Sequence, residues 1–194
     1  MKSKKLTTKD IITVVLMSLV NTIIFGLGTF FYLTPITILL MPVFYALFQG
    51  IVFFMLGVKV RKKGAILLYC VIMGVIGFNL PYIIMHIVAG LLAEYILSKY
   101  GYGEPKGLTL SYIILQLLAC VGSTIYPYAI VLSATLSGIE GNGDLGVNIE
   151  AAGSMLQSWV IVVFIAVVAL SAWLGAMLGK KMVKKHLARV EERK

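Results

Sequence analysis

The sequence predicts an all-α integral membrane protein, a single domain folded as a compact bundle of six transmembrane helices. Three observations predict it. First, 60% of the 194 residues are hydrophobic and 13% are charged, with a mean hydropathy of +0.98, whereas soluble domains are about 45–50% apolar and about 25% charged. A soluble chain this short has too much surface to hide so many apolar side chains. Second, apolar runs recur at about 20 residues, the length that carries a helix across roughly 30 Å of hydrocarbon. Third, all 17 lysines and arginines fall in short segments between alternate runs, the pattern of a multi-pass protein with basic inner loops.

The first span covers 11–31 and the second 36–58. The apolar stretch 64–98 is too long for one crossing, and it divides at Asn79-Leu80-Pro81 into spans 64–79 and 82–98. Proline lacks a backbone donor and biases the residue before it away from helix. The fifth span covers 108–134, the sixth 158–178, and a basic tail occupies 179–194. This division makes 1–10, 59–63, 99–107 and 179–194 the inner segments, and they hold every lysine and arginine. The outer loop 135–157 carries Glu140, Asp144 and Glu150 and no basic residue. A single crossing over 64–98 would invert all that follows and place more than half of the basic residues outside. Both termini are therefore expected in the cytoplasm.

The formal net charge of +9 points to anionic lipid head groups rather than nucleic acid, because the basic residues abut the helices. In the tail, Met182, Val183, Leu187 and Val190 alternate with basic residues, which predicts that span six continues as an interfacial helix. The basic start resembles a signal peptide, but its apolar run is too long and has no small-residue cleavage site, so span one is expected to stay. Cys70 and Cys120 lie in apolar helices without partner spacing and read as buried thiols, neither disulfide nor metal ligands.

Enzyme signatures are missing from the sequence. The nearest approach to a phosphate-binding GxxxxGK[ST] loop ends at Gly179-Lys180-Lys181, with Leu174 at the first glycine and no Ser or Thr at the end. There is no HExxH, GxSxG or paired-carboxylate pattern, so no catalytic role, cofactor or metal is expected. A calcium site from Glu140, Asn142 and Asp144 lacks EF-hand spacing and is set aside.

Polar residues inside the membrane are costly, and they are the functional candidates. Asn79, Tyr82 and His86, at i, i+3 and i+7, share one helix face. They either contact a ligand or serve the fold, Asn79 as a cap and His86 bonded to a backbone carbonyl. Glu94, near the cytoplasmic boundary, is expected to pair with a basic residue. Span five offers Gln116 and Ser123, then Thr124, Tyr126 and Tyr128 around Pro127, a proline that frees backbone carbonyls for a cavity. Tyr128 suits an interfacial aromatic belt better than Tyr126 does. The glycine-rich outer loop has the length of a lid or of a plain linker, and Gln157 and Trp159 follow it into span six. Small-residue pairs Ser18/Thr22, Ala89/Ala93 and Gly175/Gly179 allow close helix packing, inside the fold or against a partner.

Three segments carry a family resemblance: Leu6-Thr7-Thr8-Lys9-Asp10-Ile11; Asn79-Leu80-Pro81-Tyr82 leading to Ala89-Gly90-Leu91-Leu92-Ala93-Glu94; and Gly175-Ala176-Met177-Leu178-Gly179-Lys180-Lys181-Met182-Val183-Lys184-Lys185-His186. With these and its length, the chain resembles the Trep_Strep (MptD-like) group of substrate-binding S components of energy-coupling factor (ECF) transporters. The resemblance implies a multi-pass subunit of the prokaryotic plasma membrane that captures a vitamin-like or other small micronutrient near the outer face. It would then reorient against a transmembrane coupling subunit driven by two cytoplasmic ATPases. The family's span one commonly docks through an Ala-xxx-Ala pair, for which Ser18 and Thr22 are the nearest equivalent here.

The substrate-binding candidates are Asn79, Tyr82, His86, Gln116, Tyr126, Gln157 and Trp159, and the partner-interface candidates are Ser18 and Thr22. A stand-alone secondary transporter and a membrane interaction or assembly protein without a transported ligand remain the alternatives. Fold analogy does not name the ligand.

Overall fold

The computed structural model describes residues 5–139 and 143–191, with side chains of the last helix described through Lys185. Lys2, Lys4, Glu140, Asn142, Arg193 and Lys194, and the side chains of Leu187 and Val190, lie outside the described residues.

The described chain is helical throughout and has no strand: α1 (Thr8–Gly26), α2 (Pro35–Lys59), α3 (Ala65–Ile76), α4 (Leu80–Tyr100), α5 (Pro105–Cys120), α6 (Leu132–Ser137), α7 (Asp144–Met155) and α8 (Ser158–Glu191). A 3₁₀ segment, Leu27–Leu33, extends α1, and a π-helical segment, Val121–Ile130, extends α5. Five helical stretches are long and apolar enough to cross a membrane: Thr8–Leu33, Pro35–Lys59, Leu80–Tyr100, Pro105–Ile130 and Ser158–Lys185. The 12 residues of α3 reach about 18 Å, short of the roughly 30 Å of hydrocarbon.

Eight helices thus stand where six are expected. The extra two are α6, which straddles the expected end of span five at 134, and α7, which lies in the outer loop, where glycines mask the helical period. Asp144 in the first turn of α7 favours that helix by opposing its dipole. The fifth span is not one helix to 134 either, because the chain bends at Val131 between the π segment and α6.

Local chemistry explains the boundaries. Thr7 donates its N–H (2.7 Å) and its hydroxyl (2.6 Å) to Asp10 Oδ2 at the start of α1. The same carboxylate meets Lys62 Nζ at 2.5 Å, tying α1 to the α2–α3 turn. Thr34 and Thr37 box the start of α2, with Pro35 where its missing N–H costs nothing. Gly77 and Phe78, the latter at φ 50°, turn the chain between α3 and α4. The break lies just ahead of Pro81, which sits in the first turn of α4.

The packing of α3 on α4 shows a hairpin. Gly74 faces His86 and Ile83, Gly90 faces Leu67 and Cys70, and Glu94 reaches the N-terminus of α3. The two helices therefore run antiparallel. Glu94 Oε1 accepts the N–H groups of Gly64 at 2.9 Å and Leu67 at 3.5 Å, and Oε2 accepts the Tyr102 hydroxyl at 3.1 Å. This carboxylate satisfies helix-end donors that would otherwise be orphaned.

Helix α2 is central and packs on α1, α5, α7 and α8. Its crossing with α8 is backbone on backbone: a Cβ at Gly175 would lie 2.2 Å from Ala46 O, and one at Gly179 would lie 2.5 Å from Gly50 O. The Gly175/Gly179 pair therefore serves internal packing. Ala89 and Ala93 are likewise buried, as are both free cysteines. On α1, Val14, Ser18 and Asn21 face inward, and Ser18 bonds to Val14 O. Ile12, Leu16, Leu19 and Ile23 instead present an exposed apolar face. Ser18 is thus spent inside the fold, with Thr22 half-buried beside it. Exposed large apolar residues on α1 and α8 are what a bilayer solvent permits.

Candidate functional site

At the pole opposite the lysines, the helix ends enclose a cavity of about 430 Å³. Phe25, Thr29 and Tyr32 come from α1 and its 3₁₀ extension, and Met41 and Tyr45 from α2. Phe78, Asn79 and Tyr82 come from the α3–α4 turn, and Ser123, Pro127 and Tyr128 from the π segment. Thr135 of α6, Ile139 in the turn after it, and Leu145 and Ile149 of α7 cover it. The segment expected to be a lid or a linker therefore covers the cavity with residues of its described part. Asn148 fastens that cover by donating to Tyr32 O (3.3 Å) and Leu33 O (3.1 Å).

The aromatic wall is built on glycine. Tyr45 donates its hydroxyl to Phe25 O at 2.7 Å, and the two rings stack at 5.3 Å and 18°. Gly28 makes room for that hydroxyl, and Gly77 for the Tyr82 ring. Tyr82 packs on Phe25 at 6.2 Å and on the His86 ring at 4.0 Å. Tyr32 and Tyr128 bring their hydroxyls to 3.5 Å across the cavity. Among the described residues no Lys, Arg, His, Asp or Glu lines it. Its polarity comes from the Asn79 amide, three aliphatic hydroxyls and the tyrosine phenols.

The candidate residues separate by position. Asn79 and Tyr82 line the cavity. Asn79 stands at the N-cap of α4 without using its side chain as a cap. His86 lies one turn further in, buried, its Nδ1 3.1 Å from Tyr82 O. That is the backbone contact expected of a histidine serving the fold, and it also backs the Tyr82 ring. Gln116 is deeper still and donates to Gln49 Oε1 at 3.1 Å. Tyr126, Gln157 and Trp159 are exposed, Trp159 at 69%, and do not line the cavity.

Tyr128 and Tyr126 exchange the places expected of them: Tyr128 is buried on the cavity wall and Tyr126 faces outward. The cause is the π segment, which puts more residues in each turn and rotates the face that an α-helical count assigns. Sequence reasoning missed Phe25, Thr29, Tyr32, Tyr45 and Thr135. The available signal was a tyrosine inside apolar span two, Tyr45, and one at the end of span one, Tyr32, each a ring that brings a polar group needing a partner.

No curated protein and no solved structure matches the chain. A family model described as "Hypothetical bacterial integral membrane protein (Trep_Strep)" matches residues 8–189. With nearly its whole length matched and five apolar helices able to span a membrane, the chain belongs to the Trep_Strep family of bacterial integral membrane proteins.

Proposed function

We propose that this protein is the membrane-embedded substrate-binding subunit of an ECF-type importer. It takes a vitamin-like or other small micronutrient into the cavity at the outer face. It then delivers the molecule by reorienting against a separate coupling subunit driven by two ATPases. The observation that carries the proposal is the covered, aromatic-walled cavity at the pole away from the lysines. Apolar walls with a few convergent polar groups, in a volume of about 430 Å³, suit a small organic molecule better than a bare ion. The basic pole is then the cytoplasmic one, where ATPases would act, and the chain has no nucleotide loop of its own.

The test is affinity purification from native membranes in mild detergent, with mass spectrometry of the proteins and small molecules retained. A coupling subunit and two ATPases are expected, together with a bound small molecule. Asn79→Ala should release that molecule, at a cost of roughly tenfold or more in affinity, whereas exposed Trp159→Ala should retain it. Recovery of the chain alone, where known S components keep their partners, would overturn the proposal in favour of a solitary transporter.

A further inference from the structure

A second groove, of about 500 Å³, follows α2 and α8 toward the basic pole and shares no lining residue with that cavity. Leu47 of α2 and Leu174, Met177 and Leu178 of α8 form its apolar length, and Lys180, Lys181 and Lys184 close its end. Residues 174, 177, 178, 181 and 184 recur at three- and four-residue intervals and so share one face of α8. From Leu174 to Lys184 the helix rises about 15 Å, half of a hydrocarbon core of roughly 30 Å. The groove thus has the length of one leaflet, with its lysines at head-group depth.

We propose that this groove binds one anionic phospholipid from the leaflet at the basic pole. The acyl chains lie against Leu47, Leu174, Met177 and Leu178, and the phosphate accepts hydrogen bonds from the lysine ammonium groups. Charge complementarity selects this occupant. The three lysines are exposed, and among the described residues no carboxylate pairs with them. A zwitterionic lipid brings its own cation to its phosphate and leaves the lysines uncompensated. A second copy of the chain would bring the same three charges. The proposal does not rest on the outer cavity or on its ligand.

The experiment is native mass spectrometry of the purified full-length protein, equilibrated in detergent with equal amounts of phosphatidylglycerol and phosphatidylcholine of matched chains. Wild type should retain phosphatidylglycerol selectively. K180Q/K181Q/K184Q should weaken its apparent affinity on the order of 100-fold. Met177→Trp, which fills the groove and keeps the charge, should weaken it roughly tenfold. K5Q/K9Q/K99Q, which removes equal charge elsewhere at the same pole, should change it less than about threefold. All of these side chains are exposed, and thermal melting checks that each variant folds. Equal retention of both lipids, no loss in K180Q/K181Q/K184Q, an equal loss in K5Q/K9Q/K99Q, or a polypeptide held in the groove instead would each overturn the proposal.

Discussion

Replacing Gly28 by alanine puts a methyl carbon 1.5 Å from Tyr45 Oη and 2.6 Å from Tyr45 Cζ. Neither separation is tolerable, so the ring must leave its place on the cavity wall. Moving it breaks the 2.7 Å hydrogen bond to Phe25 O, at about 0.5–1.5 kcal/mol. It also breaks the stack on Phe25, at about 0.5–1.5 kcal/mol. The lower flexibility of alanine in the unfolded chain returns about 0.5–1 kcal/mol. From the middle of these ranges a net loss of about 1 kcal/mol is expected. Reversible unfolding in mixed micelles with increasing sodium dodecyl sulfate, followed by tryptophan fluorescence, measures it. Tyr45→Phe removes the clashing oxygen but leaves Cζ, so it should relieve part of the loss. The double-mutant cycle should therefore give a coupling of about 1 kcal/mol. Wild-type stability in Gly28→Ala, or additivity in the cycle, would refute the packing on which the cavity wall rests.

Gly175→Ala would drive its methyl to 2.2 Å from Ala46 O and 2.7 Å from Leu47 O. These are backbone atoms that no rotamer change can move, so about 1–3 kcal/mol should be lost in the same unfolding assay. Gly146→Ala on α7 meets nothing within 4 Å and should gain about 0.5–1 kcal/mol. At the basic pole, burial and then the Glu94 carboxylate push the Tyr102 phenol from 10.0 up to about 12. Its neutral form is the one the fold favours, so its contribution is complete below about pH 10 and is lost as pH rises through about 12. Melting temperature against pH should fall less steeply over that window in Tyr102→Phe than in wild type, and identical slopes would refute the Glu94–Tyr102 contact.

How much of this molecule the sequence discloses depends on which pole is asked about. At the basic pole the connections are closed by charged groups: Asp10 with Thr7 and Lys62, and Glu94 with Gly64, Leu67 and Tyr102. Charged groups are rare in a chain that is 60% hydrophobic, so they stand out, and their distribution divides 64–98 near the turn seen at Gly77–Asn79. At the other pole the same work is done by aromatic rings seated on glycine, and inside a continuous apolar run neither stands out as a charge does. Phe25 and Tyr45 count as ordinary span residues, and Tyr32 as part of a short connection, until the helices are assembled. Asn79 and Tyr82 were visible because a proline and an amide interrupt a hydrophobic stretch. Tyr126 and Tyr128 could be named but not oriented, since their phase depends on how many residues the π segment fits in each turn. Gln157 and Trp159 qualify only by their nearness in sequence to a polar loop. That loop folds as α6 and α7 and turns toward the cavity with Leu145 and Ile149 rather than with the start of α8. A pocket built without charge in an apolar protein is therefore hidden for a physical reason. Its side chains are of the same kinds that face lipid elsewhere, and only packing separates a wall residue such as Tyr128 from an outward one such as Tyr126.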